Sequence, residues 1–217
     1  MQIAIPLFDR FTALDAVGPY EVLSRIPGAR VDFVAAEPGI HRTDTRMLAL
    51  SVEHSYADVP SPEVLVFPGG VGTRALMHHE PTLAWVRSVH EQSRYTTSVC
   101  TGALVLGAAG VLEGLDATTH WMSRPMLADL GARAVEARVV EQGKVITAAG
   151  VSAGIDMALT LTERIAGPEV AQAVQLGIEY DPQPPFDAGS PAKAPAAIVD
   201  VVRAVERAEE AEVAATG

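Results

Sequence analysis

Cys100 is the single cysteine of a 217-residue chain, and it stands where one sequence pattern gives way to another. Tyr95 to Val99 is β-branched and aromatic, as a buried strand requires, while the stretch from Gly102 onward has helical spacing of apolar residues. A thiol at such a strand-to-helix turn, with small Ser98 and Gly102 two positions to either side, has the setting of a nucleophile elbow. The unsatisfied N–H groups of a helix N-terminus favour thiolate over thiol, so the setting predicts a lowered pKa and a reactive sulfur. The competing reading is a cysteine that merely fills core space.

Asp15 is the second candidate, in Leu14-Asp15-Ala16-Val17-Gly18-Pro19-Tyr20 after the first apolar run. With Pro19 expected near the first turn of a helix, Asp15 reads either as a helix cap or as a catalytic carboxyl. Open parallel sheets place their sites beyond the carboxyl ends of the strands, and both Asp15 and Cys100 fall beyond such ends.

Phe67-Pro68-Gly69-Gly70-Val71-Gly72-Thr73 follows an all-apolar strand, so its glycines turn the chain sharply above the sheet and could present N–H groups to developing negative charge. A turn without chemistry fits the same residues. The run from Gly70 to Ala75 also matches G-x-G-x-x-A, but it follows a middle strand, and the acidic residue about twenty positions on, Glu91, falls in a helix. Of the six histidines, His120 in Thr118-Thr119-His120-Trp121 is placed at an expected strand end, as a base or as a satisfied core residue. His78 and His79 are adjacent and point apart on a helix. No Cys/His/Asp grouping has metal-ligand spacing, and neither a metal nor another cofactor is expected.

These residues need a scaffold, and the chain supplies alternating strands and helices, the pattern of a mostly parallel sheet with helices on both faces. Strands are expected over Gln2 to Leu7, Val31 to Ala36, Val64 to Phe67, Tyr95 to Val99, Ala117 to His120 and Val145 to Ala148, with edge hairpins near Met47 to Val52 and Val135 to Glu141. Helices are expected over Gly18 to Ser24, Thr82 to Glu91, Gly102 to Gly110, Ser123 to Leu130, Ser152 to Ala166 and Pro168 to Leu176. The expected organisation is one flavodoxin-like α/β domain over 1–180, a Pro-rich link over 181–194, and a C-terminal helix and tail over 195–217. In that helix Ile198, Val202 and Val205 share one face, suited to packing on the domain or on a second subunit, and the end beyond is acidic and expected to fray.

Composition narrows the classes of function. Apolar residues make up 48% and charged residues 20%, which suits a globular domain, and no apolar run reaches membrane-spanning length. A formal charge of −11, with 16 basic residues scattered among 27 acidic ones, argues against a nucleic-acid partner. One cysteine precludes an internal disulfide, and the chain opens on a strand instead of a basic, cleavable leader, so the expected compartment is the cytoplasm.

Taken together, Phe67-Pro68-Gly69-Gly70, Ser98-Val99-Cys100-Thr101-Gly102-Ala103, Ala117-Thr118-Thr119-His120-Trp121 and the run from Ala149 to Asp156 resemble the DJ/PfpI group of the class I glutamine-amidotransferase-like superfamily, over roughly residues 2 to 180. With Leu14-Asp15 and Gly18-Pro19 added, the chain looks most like the isonitrile-hydrating branch. That resemblance implies a site formed by Asp15, Cys100 and Thr101, with oxyanion-type N–H groups from Gly70 and Thr101. It also implies a homodimer acting on a small molecule. PfpI-type peptidases carry His after the elbow cysteine, where this chain has Thr101. AraC-type regulators share the core motifs and add a DNA-binding module, which the final acidic helix does not resemble.

The residue types suit that chemistry. An isonitrile carbon accepts both a nucleophile and a proton, so addition of the Cys100 thiolate with proton delivery from Asp15 would give a thioimidate. Water activated by the same carboxylate would then release an N-substituted formamide, with the Thr101 hydroxyl orienting substrate or water. An ionised Asp15 would oppose a thiolate, so the two groups are expected to share a proton. Two rival expectations use the same thiol: an oxidation-sensing or ligand-binding domain, and a glyoxalase-like or amidase enzyme.

Overall fold

The computed structural model describes the backbone of residues 1–216 and the side chains of residues 1–208. In chain order the strands are β1 (Gln2–Pro6), β2 (Arg30–Ala35), β3 (Gly39–Arg42), β4 (Ala49–Val52), β5 (His54–Ser55), β6 (Val64–Phe67), β7 (Tyr95–Val99), β8 (Asp116–Ala117), β9 (Arg133–Ala134), β10 (Val139–Gln142) and β11 (Val145–Ala148). The helices are α1 (Ala13–Leu23), α2 (Thr73–Leu76), α3 (Glu80–Gln92), α4 (Gly102–Ala108), α5 (Arg124–Asp129), α6 (Ala153–Ala166), α7 (Pro168–Gly177) and α8 (Ala196–Thr216).

Seven strands form one sheet in the order β10-β11-β7-β6-β1-β2-β5, parallel throughout except for β10, which runs antiparallel to β11. The chain builds outward from β1 to β2 in one direction and from β6 to β7 and β11 in the other, so the order reverses between β1 and β6. The loops leaving the carboxyl ends of β1 and β6 therefore diverge and leave a crevice there.

Helices cover both faces, as the alternation along β7 makes clear. Thr96 meets His90 of α3, with Oγ1 2.9 Å from Nδ1, whereas Val99 meets the backbone of Gly154 in α6. Residues an odd number of positions apart on a strand point to opposite faces, so α3 and α6 flank the sheet on its two sides. Strand β6 is buried at all four positions, Val64 to Phe67, the continuous apolar run that a strand covered on both faces requires.

Three sequence expectations change. Helix α1 begins at Ala13 and not near Gly18, so Pro19 lies inside the helix, and Asp15 sits in the first turn. The strand expected over Ala117 to His120 shrinks to β8, which pairs in parallel with β9 outside the main sheet; His120 instead leads into a 3₁₀ turn over Trp121–Ser123. The hairpin at Met47 to Val52 forms as β3 against β4, a two-stranded sheet of its own. Its loop reaches α1, where Thr12 Oγ1 donates to Asp44 Oδ2 at 2.8 Å.

Residues Met1–Ile178 form one compact unit and Glu179–Gly217 a second. In the second, Lys193 pairs with Asp187 at 2.7 Å before α8 begins. Ile198, Val202 and Val205 of α8 are exposed. The acidic run from Glu209 that was expected to fray lies outside the described side chains.

Candidate active site

Asp15, Gly69, Gly70, Cys100 and Thr101 come together at the crevice where the strand order reverses. Cys100 has φ of 55°, the left-handed conformation that a side chain at a sharp elbow is forced into. Its N–H donates to the carbonyls of Ala148 and Ala149, at 3.1 and 3.0 Å, and its carbonyl accepts the Thr119 hydroxyl at 2.7 Å. The strained turn is thus held from two neighbouring segments, as persistence of strain requires. Gly102 is needed at the elbow because a Cβ there would stand 2.2 Å from the Phe67 carbonyl oxygen.

Asp15 is not the cap of α1. Thr12 occupies the N-cap position, and the Asp15 side chain turns inward, where Oδ2 accepts the Gly69 N–H at 2.9 Å. The carboxyl is fully buried. Its Oδ1 has no hydrogen bond of standard geometry among the described residues, and what faces the carboxyl is the Cys100 thiol. A side chain on Gly69 would destroy this arrangement, since its Cβ would lie 2.6 Å from Thr101 N and 2.8 Å from Asp15 Oδ2.

The electrostatics correct the expectation of a thiol acidified by its helix. Cys100 is only 5% exposed, and burial first, then the neighbouring Asp15 charge, push its pKa well above the ordinary thiol value. Hydrogen bonds from the backbone N–H groups of Thr101 and Val151 act in the opposite direction but do not offset those two. The seven-residue helix α4 is too weak a source of positive potential to overcome loss of water around the sulfur. Burial likewise raises Asp15, to about 7, against the lowering effects of the Gly69 and Cys100 hydrogen bonds, with a small further rise from Asp44. The Asp15 charge opposes ionisation of the thiol while the thiol's hydrogen bond favours the carboxylate, so near neutrality the pair holds a proton between sulfur and carboxylate.

Gly70 and Thr101 meet, but in a different role from the one expected. The Gly70 N–H donates to Thr101 Oγ1 at 2.9 Å, and that hydroxyl lies 3.1 Å from Gly70 O. In this arrangement neither is a free donor; together they lock the Pro-Gly-Gly turn to the elbow. The Thr101 backbone N–H, by contrast, is directed at the Cys100 sulfur.

His120 follows Thr119, and its ring lies against the Gly150 backbone. Burial and the Arg74 charge lower its pKa, which favours the neutral imidazole. Val151 and Thr119 touch the elbow although the sequence singled out neither. A threonine two residues beyond a short strand, and a valine in a turn, carry no local signal of such contacts. Among the described residues no group of three or more His, Cys, Asp or Glu side chains could hold a metal ion.

A covered parallel sheet with a strained cysteine at its switch point defines an α/β protein of the nucleophile-elbow kind. The chain belongs to the DJ-1/PfpI family, whose model matches residues 1–164. It is 47% identical over 203 residues to the isonitrile hydratase of Pseudomonas putida, a match covering 94% of this chain and 89% of that protein. The crystal structure of a THiJ/PfpI family protein from Pseudomonas syringae superposes with a TM-score of 0.90 at 38% identity, over 97% of this chain and 89% of the other. Drosophila melanogaster DJ-1beta, at 23% identity and a TM-score of 0.77, covers 83% of this chain and 98% of its own, and shares the fold.

Proposed function

We propose that this protein is an isonitrile hydratase, a hydro-lyase that converts isonitriles to N-substituted formamides, with Cys100 as nucleophile and Asp15 as the proton-transfer group. The observation that carries the reading is the buried Asp15 carboxyl set against the Cys100 thiol, with one oxygen anchored to Gly69 and the other without a standard partner. The extent of similarity to the Pseudomonas putida enzyme supports the same activity.

The chemistry follows from a shared proton. The sulfur forms a bond to the isonitrile carbon while its proton passes through the Asp15 carboxyl to that same carbon, which gives R–N=CH–S–Cys100. Asp15, again ionised, takes a proton from water as the water adds to the thioimidate carbon and passes it to the nitrogen, which gives R–NH–CH(OH)–S–Cys100. The tetrahedral adduct then breaks its C–S bond, releasing R–NH–CHO, while the electron pair returns to sulfur and the hydroxyl proton passes through Asp15 to the same sulfur. No net charge develops across the cycle, which suits a site closed to solvent.

A raised thiol pKa disfavours the oxidation-sensing alternative, because sensor cysteines are exposed and rich in thiolate. Thr101 after the elbow, with its hydroxyl engaged by Gly70, leaves no adjacent histidine for peptidase chemistry. Within the proposal the enzyme is a cytoplasmic homodimer.

The test is incubation with a panel of simple isonitriles, with formamide and intact-protein mass followed by mass spectrometry. Wild type should produce formamide, Cys100→Ala neither formamide nor adduct, and Asp15→Asn should lose about 10²- to 10⁴-fold in rate, the usual contribution of a general acid or base. Formamide formation by Cys100→Ala at the wild-type rate would rule out nucleophilic catalysis.

A further inference from the structure

We propose that Asp44, in the loop of the β3–β4 hairpin, is a positioning residue for the reaction: it draws the Thr12 hydroxyl away from the start of α1, keeps the cap of that helix open, and so leaves the Asp15 carboxyl turned towards Cys100. The proposal rests on the hydratase reading for its effect on turnover, whereas the open cap is a feature of the fold.

Thr12-Ala13-Leu14-Asp15 has the spacing of a capping box. In such a box the N-cap hydroxyl accepts the N–H three residues on, while the acidic side chain at that position reaches back for the N-cap N–H. Neither bond is made here. Thr12 stands at the N-cap of α1 without a side-chain cap bond, and its hydroxyl donates to Asp44 Oδ2 at 2.8 Å. Its N–H goes instead to Gly69 O at 2.9 Å, and the Asp15 carboxyl takes the Gly69 N–H at 2.9 Å. Gly69 is thus inserted between the two groups that would otherwise pair: its oxygen replaces the carboxylate for Thr12, and its N–H replaces Thr12 for the carboxylate. The Asp15 N–H is left with the Thr12 carbonyl at 3.1 Å.

Asp44 is itself fixed in place. Its N–H donates to Phe11 O at 2.9 Å, Thr43 forms an isolated parallel bridge with Phe11, and Arg10 N–H donates to Arg42 O at 2.7 Å. Arg42, Thr43 and Asp44 are therefore each tied to the segment just before the cap. The other carboxylate oxygen, Oδ1, accepts the Thr45 N–H at 2.7 Å. A hydroxyl has one proton, and a carboxylate held at this distance claims it in a charge-assisted bond. Without Asp44, Thr12 Oγ1 would turn to the Asp15 N–H, as N-cap threonines do. The closing first turn would then draw the carboxyl back to the Thr12 N–H and away from the sulfur.

The state of the cap matters to the chemistry because proton exchange between sulfur and carboxyl is short-range. A carboxyl tied to its own N-cap is displaced from the thiol, and a displacement of about 1 Å can cost about 10²-fold in rate. The Asp44 charge also opposes ionisation of Asp15, in the same direction as burial. Among the described residues the titratable groups acting on the Asp15 carboxyl are Cys100, at the elbow after β7, and Asp44; the one acting on the thiol is Asp15. Release of Thr12 is therefore felt at both members of the pair.

The test is a set of variants at positions 12 and 44, read by formamide turnover and by the pH dependence of iodoacetamide alkylation at Cys100. Asp44→Ala frees the Thr12 hydroxyl, so kcat should fall by about tenfold or more with KM little changed. Its alkylation profile should move to lower pH, because the withdrawn Asp15 no longer opposes the thiolate. Asp44→Asn keeps an oxygen for the hydroxyl and should retain most of the turnover. The double variant Thr12→Val/Asp44→Ala has no hydroxyl with which to close the cap, and should regain most of the lost rate and the wild-type alkylation profile. Asp44→Ala with wild-type kcat and profile would overturn the proposal. So would a double variant as impaired as the single one, since Asp44 would then only support the fold. Should Asp44→Ala not fold, Thr12→Asn decides: asparagine is a strong N-cap whose oxygen closes on the Asp15 N–H, so kcat should fall about tenfold with no loss of melting temperature. Wild-type kcat in that variant would also overturn the proposal. Alkylation requires no isonitrile, so a wild-type enzyme that makes no formamide would sink the hydratase reading and leave the role of Asp44 to be judged by the alkylation profiles.

Discussion

Burial raises both Asp15 and Cys100, the Asp15 charge raises the thiol further, and this coupling has consequences for both reactivity and stability. In the folded chain Asp15 titrates at about 7, against 3.8 for an unhindered aspartate. Between those two values the folded state holds a proton that the unfolded chain has lost, so stability is highest below about pH 4 on this account and falls as pH rises through about 7. Asp15→Asn lacks that slope. Its unfolding free energy should therefore exceed the wild-type value at pH 8 and converge with it near pH 4, by at most about 4 kcal/mol, since each pH unit of displacement is worth about 1.4 kcal/mol. Denaturant titrations of both proteins at the two pH values check the sign. The same substitution removes the charge that holds the thiol up, so Cys100 in Asp15→Asn should alkylate faster at pH 8 although turnover is lost. Had Asp15 been a helix cap, its loss would have destabilised α1 by about 0.5–2 kcal/mol at every pH.

The strands and helices hold this pair by a few long-range ties, and these were the part least visible beforehand. Strands β6, β7 and β11 lie where continuous apolar or β-branched runs place them, because burial on both faces leaves little freedom in such segments. Helix α1 starts earlier than a first-turn Pro19 implies. The helix tolerates proline in its interior, where Pro19 packs near Gly154 of α6. The strand expected over Ala117 to His120 ends at Ala117 because Thr118 and Thr119 serve other elements. Thr118 N–H donates to Thr147 Oγ1 at 2.9 Å, and Thr119 Oγ1 to the Cys100 carbonyl. Thr119→Val keeps the shape and removes that buried bond. It should destabilise the protein by about 1–2 kcal/mol, the usual cost of a weakened buried hydrogen bond, which for a chain of this size lowers the melting temperature by a few degrees. Calorimetry beside the wild type measures it; an unchanged melting temperature would mean that Ala148 and Ala149 hold the elbow unaided.

For the whole molecule, a charge of −11 keeps like surfaces apart except where apolar area offsets repulsion. The proposed homodimer must therefore form through an apolar patch. Leu14 and Tyr20 of α1 and Ile40 of β3 are among the large apolar side chains left exposed. Sedimentation equilibrium at moderate salt should give twice the mass of the chain. Dissociation should be favoured at low ionic strength, where repulsion is least screened. A single species of one chain mass at all protein concentrations would remove the dimer from the proposal.

The chain's own patterns were enough to place an elbow at Cys100 and a parallel sheet beneath it, because strand burial and the strand-to-helix change are local in sequence. They also brought Asp15 and Gly70 to the same edge, since the carboxyl ends of parallel strands share one side. Only the folded structure decided what those groups do. Whether Asp15 caps its helix or faces a thiol depends on where Gly69 arrives, 54 residues away. The direction of the Cys100 pKa depends on how completely water is excluded around it. Charge, solvation and strain are properties of surroundings assembled from distant parts of the chain, and no window of neighbouring residues contains them.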